Sequence, residues 1–82
     1  MRRGKQMIVT DVKGFGAALR QRRKELHYTQ ADLSEFTGFS ISFISDLERG
    51  KKTIELGKAL YLSNILGLDC RLEIRGMKHE EA

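Results

Sequence analysis

The stretch Thr29–Gly50, TQADLSEFTGFSISFISDLERG, holds two helix starts of one design with a single glycine between them. Tyr28 precedes Thr29, Asp32 follows three residues later and Leu33 four later, so Thr29 caps the first free amides while Tyr28 staples onto Leu33. Phe39, Ser40 and Ile44 repeat the unit without the acid. Gly38 stands where the first helix must end and the chain reverse, because the residue after a helix often turns left-handed, which glycine does without strain. Gly50 closes the second helix in the same way. The expectation is two capped helices of about eight residues each, joined by a tight turn of about three or four residues.

The rest of the chain must bury these helices within a small core. With 82 residues, 40% of them apolar, the sequence supports one domain and not two. A single cysteine rules out an intramolecular disulfide framework, and no Cys/His pairing has metal-ligand spacing, so neither a metal nor a cofactor is expected. The apolar runs are too short to span a membrane, and Met1–Thr10 lacks the apolar centre of a signal peptide, which leads to an expected cytoplasmic location with no membrane partner. No catalytic constellation is visible either. His27 and His79 are far apart, no nucleophile–base pair stands out, and no glycine-rich phosphate loop follows a strand, so an enzyme is not expected.

Charge is distributed unevenly within the net +4. Arg2, Arg3, Lys5, Lys13, Arg20, Arg22, Arg23 and Lys24 face Asp11 alone in the first part of the chain. From Glu25 to Glu48 there are acids (Glu25, Asp32, Glu35, Asp46, Glu48) and no Lys or Arg. Basic residues return at Arg49, Lys51 and Lys52. The central stretch is therefore acidic, and an anionic partner would have to be gripped mostly by its flanks.

Residues 1–9 form a basic arm, with Met1–Lys5 open to two readings: a solvated start, or an arm reaching for phosphate or a minor groove. Thr10 is the expected cap of a first helix from Asp11 to about Leu26, with Val12, Phe15, Ala18, Leu19 and Leu26 near one stripe. Gly14 and Gly16 weaken its first turns, and a closely approaching backbone is one reason to keep them. A fourth helix starts at Thr53 or Glu55 and runs to about Leu66. Its wheel places Leu56, Ala59, Leu60, Leu62 and Leu66 on a core face and Tyr61 and Ile65 opposite. The helical domain is thus residues 10–67.

Residues 68–76 carry a different period. Leu68, Cys70, Leu72 and Ile74 alternate with Asp69, Arg71, Glu73 and Arg75, the pattern of a half-buried strand. A lone strand cannot satisfy its own backbone groups, and the short Met7–Val9 segment is the other candidate strand. Pairing of the tail with its copy in a second subunit is the economical solution, making Tyr61, Ile65, Leu68, Cys70, Leu72 and Ile74 the expected dimer contacts, with Cys70 a buried hydrophobe. Residues 77–82 are a tail.

Tyr28-Thr29-Gln30-Ala31-Asp32-Leu33, Gly38, Ile44 and Leu47-Glu48-Arg49-Gly50-Lys51 together resemble the lambda-repressor and Cro-like (XRE) helix-turn-helix family, and Phe15-Gly16 with Leu19-Arg20-Gln21-Arg22-Arg23 resembles its first helix. The resemblance implies a compact, mostly all-α four-helix DNA-binding domain. The strand-forming tail departs from the family's usual fifth helix and is similar to the HipB-type antitoxins, in which a C-terminal strand joins two subunits. That likeness implies an autoregulating repressor, a homodimer on an inverted-repeat operator in double-stranded DNA, and a HipA-type kinase toxin as partner. A stand-alone repressor, or an interaction module that has lost DNA binding, remains an alternative.

Residue roles follow from the resemblance and the helix wheel. On the second motif helix Phe39, Ile44 and Leu47 point inward, while Ile41, Ser42, Ser45 and Asp46 face out toward a major groove. Ser42 and Ser45 can bond base edges, Ile41 can pack on a thymine methyl, and Asp46 can accept from a cytosine amine. Asp46 would repel phosphates unless turned to a base or neutralised by Arg49. Gln30, Ser40, Arg49, Lys51, Lys52, Arg20 and Lys24 are the expected phosphate contacts, Ser40 doubling as a cap. The resemblance also implies that Arg23, late in the first helix, pairs with Glu48 at the end of the reading helix.

Overall fold

Asp11 begins the ordered helical part of the chain: its carboxylate accepts from the Gly14 amide at 2.7 Å and caps α1, Val12–Glu25. The computed structural model describes residues 6–76, and within them the chain forms four helices. The cap is one residue later than the expected Thr10. An ionised carboxylate suits the positive end of the helix dipole better than a hydroxyl does. Arg22, Arg23 and Lys24 occupy the last turn, where the dipole favours cations. His27 then reverses the chain with φ +64°, a conformation that histidine tolerates better than branched residues do.

Helix α2, Gln30–Thr37, carries the anticipated reciprocal cap. The Asp32 amide donates to Thr29 Oγ1 at 3.0 Å and the Thr29 amide to Asp32 Oδ2 at 2.8 Å. Gly38 follows with φ +81°, and open space surrounds the position a Cβ would take, so backbone conformation rather than crowding calls for glycine here. Ser40 Oγ accepts from the Phe43 amide at 3.0 Å and starts α3, Ile41–Glu48. Two side chains of α2 fix the turn between these helices. Ser34 Oγ donates to the Phe39 carbonyl at 2.6 Å, and Thr37 Oγ1 donates to the Leu33 carbonyl at 2.7 Å while accepting from the Phe39 amide at 3.0 Å.

The core sits where α1, α2, α3 and α4 meet. Leu19, Leu33, Ile44, Leu47, Ala59, Leu62 and Leu66 are buried, with Phe15, Leu26, Tyr28, Phe39, Phe43, Ile54 and Leu68 packed around them. Both expected staple pairs, Tyr28 with Leu33 and Phe39 with Ile44, therefore lie in or against the core. The end of α3 rests directly on α1. A Cβ on Gly16 would stand 2.1 Å from the Leu47 carbonyl oxygen, so the close backbone approach expected of this helix is made at Gly16. At Gly14 a Cβ would meet instead the Asp11 carboxylate at 3.1 Å.

Helix α4, Leu56–Ile65, starts at Glu55 without a side-chain cap. Its buried residues are Ala59, Leu62 and Ser63, followed by Leu66, whereas Leu56 and Leu60, expected in the core, are exposed. Burial is rotated because Ser63 turns inward, its hydroxyl satisfied by donation to the Leu60 carbonyl at 2.8 Å. Arg22 ties this helix to α1 through Nε, which donates to the Leu66 carbonyl at 2.9 Å. Tyr61 and Ile65 are exposed on the other side, as expected for a second apolar patch.

The tail differs from its sequence pattern. Among the described residues no strand forms: residues 68–74 run without regular structure, Leu68 alone packs on the core, and Leu72 and Ile74 are exposed. Cys70, expected to be buried, is exposed with Sγ 3.5 Å from Ser63 Oγ. A single chain offers this segment no edge to pair with, since Met7–Val9 is not a strand either. Met1–Lys5 and residues 77–82 lie outside the described residues, and no described helix is long and apolar enough to cross a membrane.

Candidate nucleic-acid interface

Three helices are held at fixed angles by one buried charge network. Arg23 of α1 donates from Nε to Glu48 Oε2 at 2.7 Å and from Nη2 to Glu48 Oε1 at 2.9 Å, a two-pronged bond to the last residue of α3. Its Nη1 donates to the Tyr28 carbonyl at 2.9 Å, just before α2. Gln30, the first residue of α2, adds Nε2 to Glu48 Oε1 at 3.0 Å. Both charged residues are buried, so every hydrogen bond here compensates for lost hydration. The bond to Glu48 holds the Arg23 pKa above its ordinary value, against the opposing effect of burial.

The network supports the expected pairing of Arg23 with Glu48 and changes the position of Gln30. The Gln30 side chain is turned to Glu48 rather than outward, and its backbone amide lies in the first turn of α2, where helix amides have no intrahelical acceptor. Helix position alone could not reveal this, because the first turn of a helix gives a glutamine both choices.

The four residues anticipated for the outward face of α3 differ in exposure. Ile41 and Ser42 are exposed in the first turn, and Ser45 and Asp46 are half-buried one turn on. Ser40 Oγ accepts a bond as a cap, yet its hydroxyl proton remains for donation. Arg49 departs from a free rim cation: Nη2 sits 2.7 Å from Asp46 Oδ1 and Nη1 bonds Ser45 Oγ. Lys51 Nζ approaches Asp46 Oδ2 at 3.5 Å. Lys52 is exposed beside it.

A second cationic surface adjoins the end of α3. Lys13, Arg20 and Lys24 of α1, together with Arg49, line an open groove of about 940 Å³ that Glu25 and Glu48 border. Their spacing along α1 sets the three bases on one face of the helix. Arg20 and Lys24 were expected as phosphate contacts; Lys13 was not named among them, although its separation from Arg20 by seven residues is the signal that places it on the same face. On the other side of α3, Lys58 Nζ lies over the half-buried Phe39 and Phe43 rings, 5.6 Å and 5.5 Å from their centroids.

Comparison with known proteins agrees with this arrangement. Residues 19–72 match the helix-turn-helix family HTH_3, a span from the middle of α1 through α4 and into the tail. The chain is also similar to an uncharacterized HTH-type transcriptional regulator, y4mF, of Sinorhizobium fredii, at 41% identity over 60 residues, covering 73% of this chain and 76% of that one. With its family match over more than half its length and a capped α2–turn–α3 unit at its centre, the chain belongs to the helix-turn-helix family of the XRE type.

Proposed function

We infer that the protein is a sequence-specific DNA-binding transcriptional regulator that places α3 in the major groove and grips the flanking phosphates with the cations around it. The observation that carries this reading is the Arg23–Glu48–Gln30 network, which sets the outward face of α3 rigidly against the other two helices. A reading helix needs that rigidity, because base edges are discriminated by hydrogen-bond geometry. The similar protein of Sinorhizobium fredii, an HTH-type transcriptional regulator by name, points the same way.

The protein acts as a homodimer in this reading. What supports the pairing is the apolar surface that one chain leaves uncovered: Leu56, Leu60, Tyr61 and Ile65 on α4, and Leu72 and Ile74 on the tail. Pairing two tails as antiparallel strands would satisfy their backbone groups and cover that surface. A two-fold dimer calls for an inverted repeat with half-site centres about 34 Å, or a multiple, apart. The finer assignment is an autoregulating antitoxin with a HipA-type kinase partner, which rests on the strand-like period of the tail; a HipA-type reading frame beside the gene would favour it over a stand-alone regulator.

A mobility-shift titration on the DNA upstream of the gene tests the core of this proposal. Wild-type protein should shift the duplex, and Ser42→Glu, which sets a carboxylate on the exposed first turn of α3, should abolish the shift without changing the melting temperature. Equal shifts by both proteins would remove α3 from the groove.

A further inference from the structure

The side chains Ser45, Asp46, Arg49 and Lys51 form a small polar cluster on the outward face and exit of α3. A carboxylate on a reading face is a liability beside phosphates. Here each of its oxygens faces a cation, so two positive charges accompany the one negative charge, and the cluster as a whole presents no net negative charge to DNA. A carboxylate has about four lone-pair sites, and two approaching cations leave acceptor capacity on both oxygens. Asp46 keeps 28% of its side chain exposed for that purpose.

Arg49 also fixes the hydrogen-bonding sense of Ser45. A guanidinium only donates, so the Ser45 hydroxyl must accept from it and keeps its own proton for a second partner. Neighbouring groups on one helix face thus become a defined pair: Ser45 as donor and Asp46 as acceptor. In the major groove an exocyclic amine is the complement of an acidic acceptor, and the cytosine N4 amine is the partner that Asp or Glu side chains take. The adjacent donor suits a purine N7, a guanine O6 or a thymine O4.

We propose that Arg49 is a positioning residue for base recognition, holding Ser45 and Asp46 as a fixed donor–acceptor pair that selects cytosine at one position of each half-site. The proposal rests on the DNA-binding reading above and deepens it. It assigns Arg49 a role different from a phosphate contact. A phosphate contact strengthens binding to all sequences alike, whereas a positioning residue shapes the preference among them.

The test is selection from a random duplex pool, followed by titration of single-base variants of the selected site, with wild type, Asp46→Ala, Asp46→Asn, Arg49→Ala and Arg49→Lys. All four substitutions are outside the core, and circular dichroism melts verify the fold. Wild type should prefer cytosine at one half-site position by roughly tenfold. Asp46→Ala and Arg49→Ala should each flatten that preference while leaving the other positions unchanged, and Asp46→Asn should move it toward adenine. Arg49→Lys should keep overall affinity near that of wild type yet lack the cytosine preference, because an ammonium lacks the planar fork that holds both neighbours. Tighter binding of Asp46→Ala to every sequence with an unchanged profile would overturn the proposal, as would a uniform loss in Arg49→Ala. Absence of binding to any duplex at low salt would remove the function reading together with it, whereas binding without the cytosine preference removes the proposal alone.

Discussion

Arg23 and Glu48 show how a single residue pair can set the angle at which α3 stands against α1 and α2. Removing one partner of a buried ion pair strands the other charge, so Arg23→Ala should cost about 3–5 kcal/mol in denaturant unfolding. Arg23→Ala/Glu48→Ala should cost less than the sum of its two single variants, because the double variant strands no charge. An unchanged melting curve for Arg23→Ala would contradict the structural role. Gly16 makes a second residue-scale case. Alanine there would drive a Cβ into the Leu47 carbonyl, and separating α1 from α3 to relieve it should cost roughly 1–3 kcal/mol. Part of this was legible. The resemblance implied the Arg23–Glu48 pair, and glycine in the first turns of a helix hinted at close approach. What sequence could not give was which of Gly14 and Gly16 is crowded, or that Gln30 joins the pair, since both depend on the tertiary approach of α3.

Individual helices were legible to the degree that their ends carry chemistry. Thr29 with Asp32, Ser40, Gly38 and Gly67 mark their boundaries by side-chain capping or by positive φ, and α2 and α3 begin where those signals stand. Thr29→Ala removes one half of a reciprocal cap and should lower stability by about 0.5–2 kcal/mol, read in thermal melts. Helix α4 is the contrary case. It is apolar on most of its circumference, so a wheel drawn from sequence cannot say which arc is buried, and Leu56 and Leu60 turned out exposed while Ser63 is inside. The tail reads as a strand by period alone, yet a strand is a property of two segments, and one chain supplies this one with no neighbour. Deleting residues 68–82 should convert a dimer to a monomer in light scattering. An unchanged mass would remove the tail from the association.

At the level of the whole molecule, the acidic central stretch and the basic flanks meet in one arrangement. Asp32 is used as a cap, Glu48 is buried against Arg23, Asp46 is held by Arg49 and Lys51, and Glu25 pairs with Arg22, so four of the five acids of that stretch are engaged within the fold. The cations Lys13, Arg20, Lys24 and Lys52 are left at the surface around the end of α3 and the α1 groove. Sequence gave the signs of the charges but not this sorting, because whether an acid is spent internally depends on which helix packs beside it. That the outward face of α3 reads DNA while these surrounding cations supply the grip is tested most directly by titrating the upstream duplex at 50 and 200 mM salt. With about six phosphate contacts per dimer the affinity should fall by about a thousandfold between the two. No binding at 50 mM salt, or an affinity indifferent to salt, would contradict it.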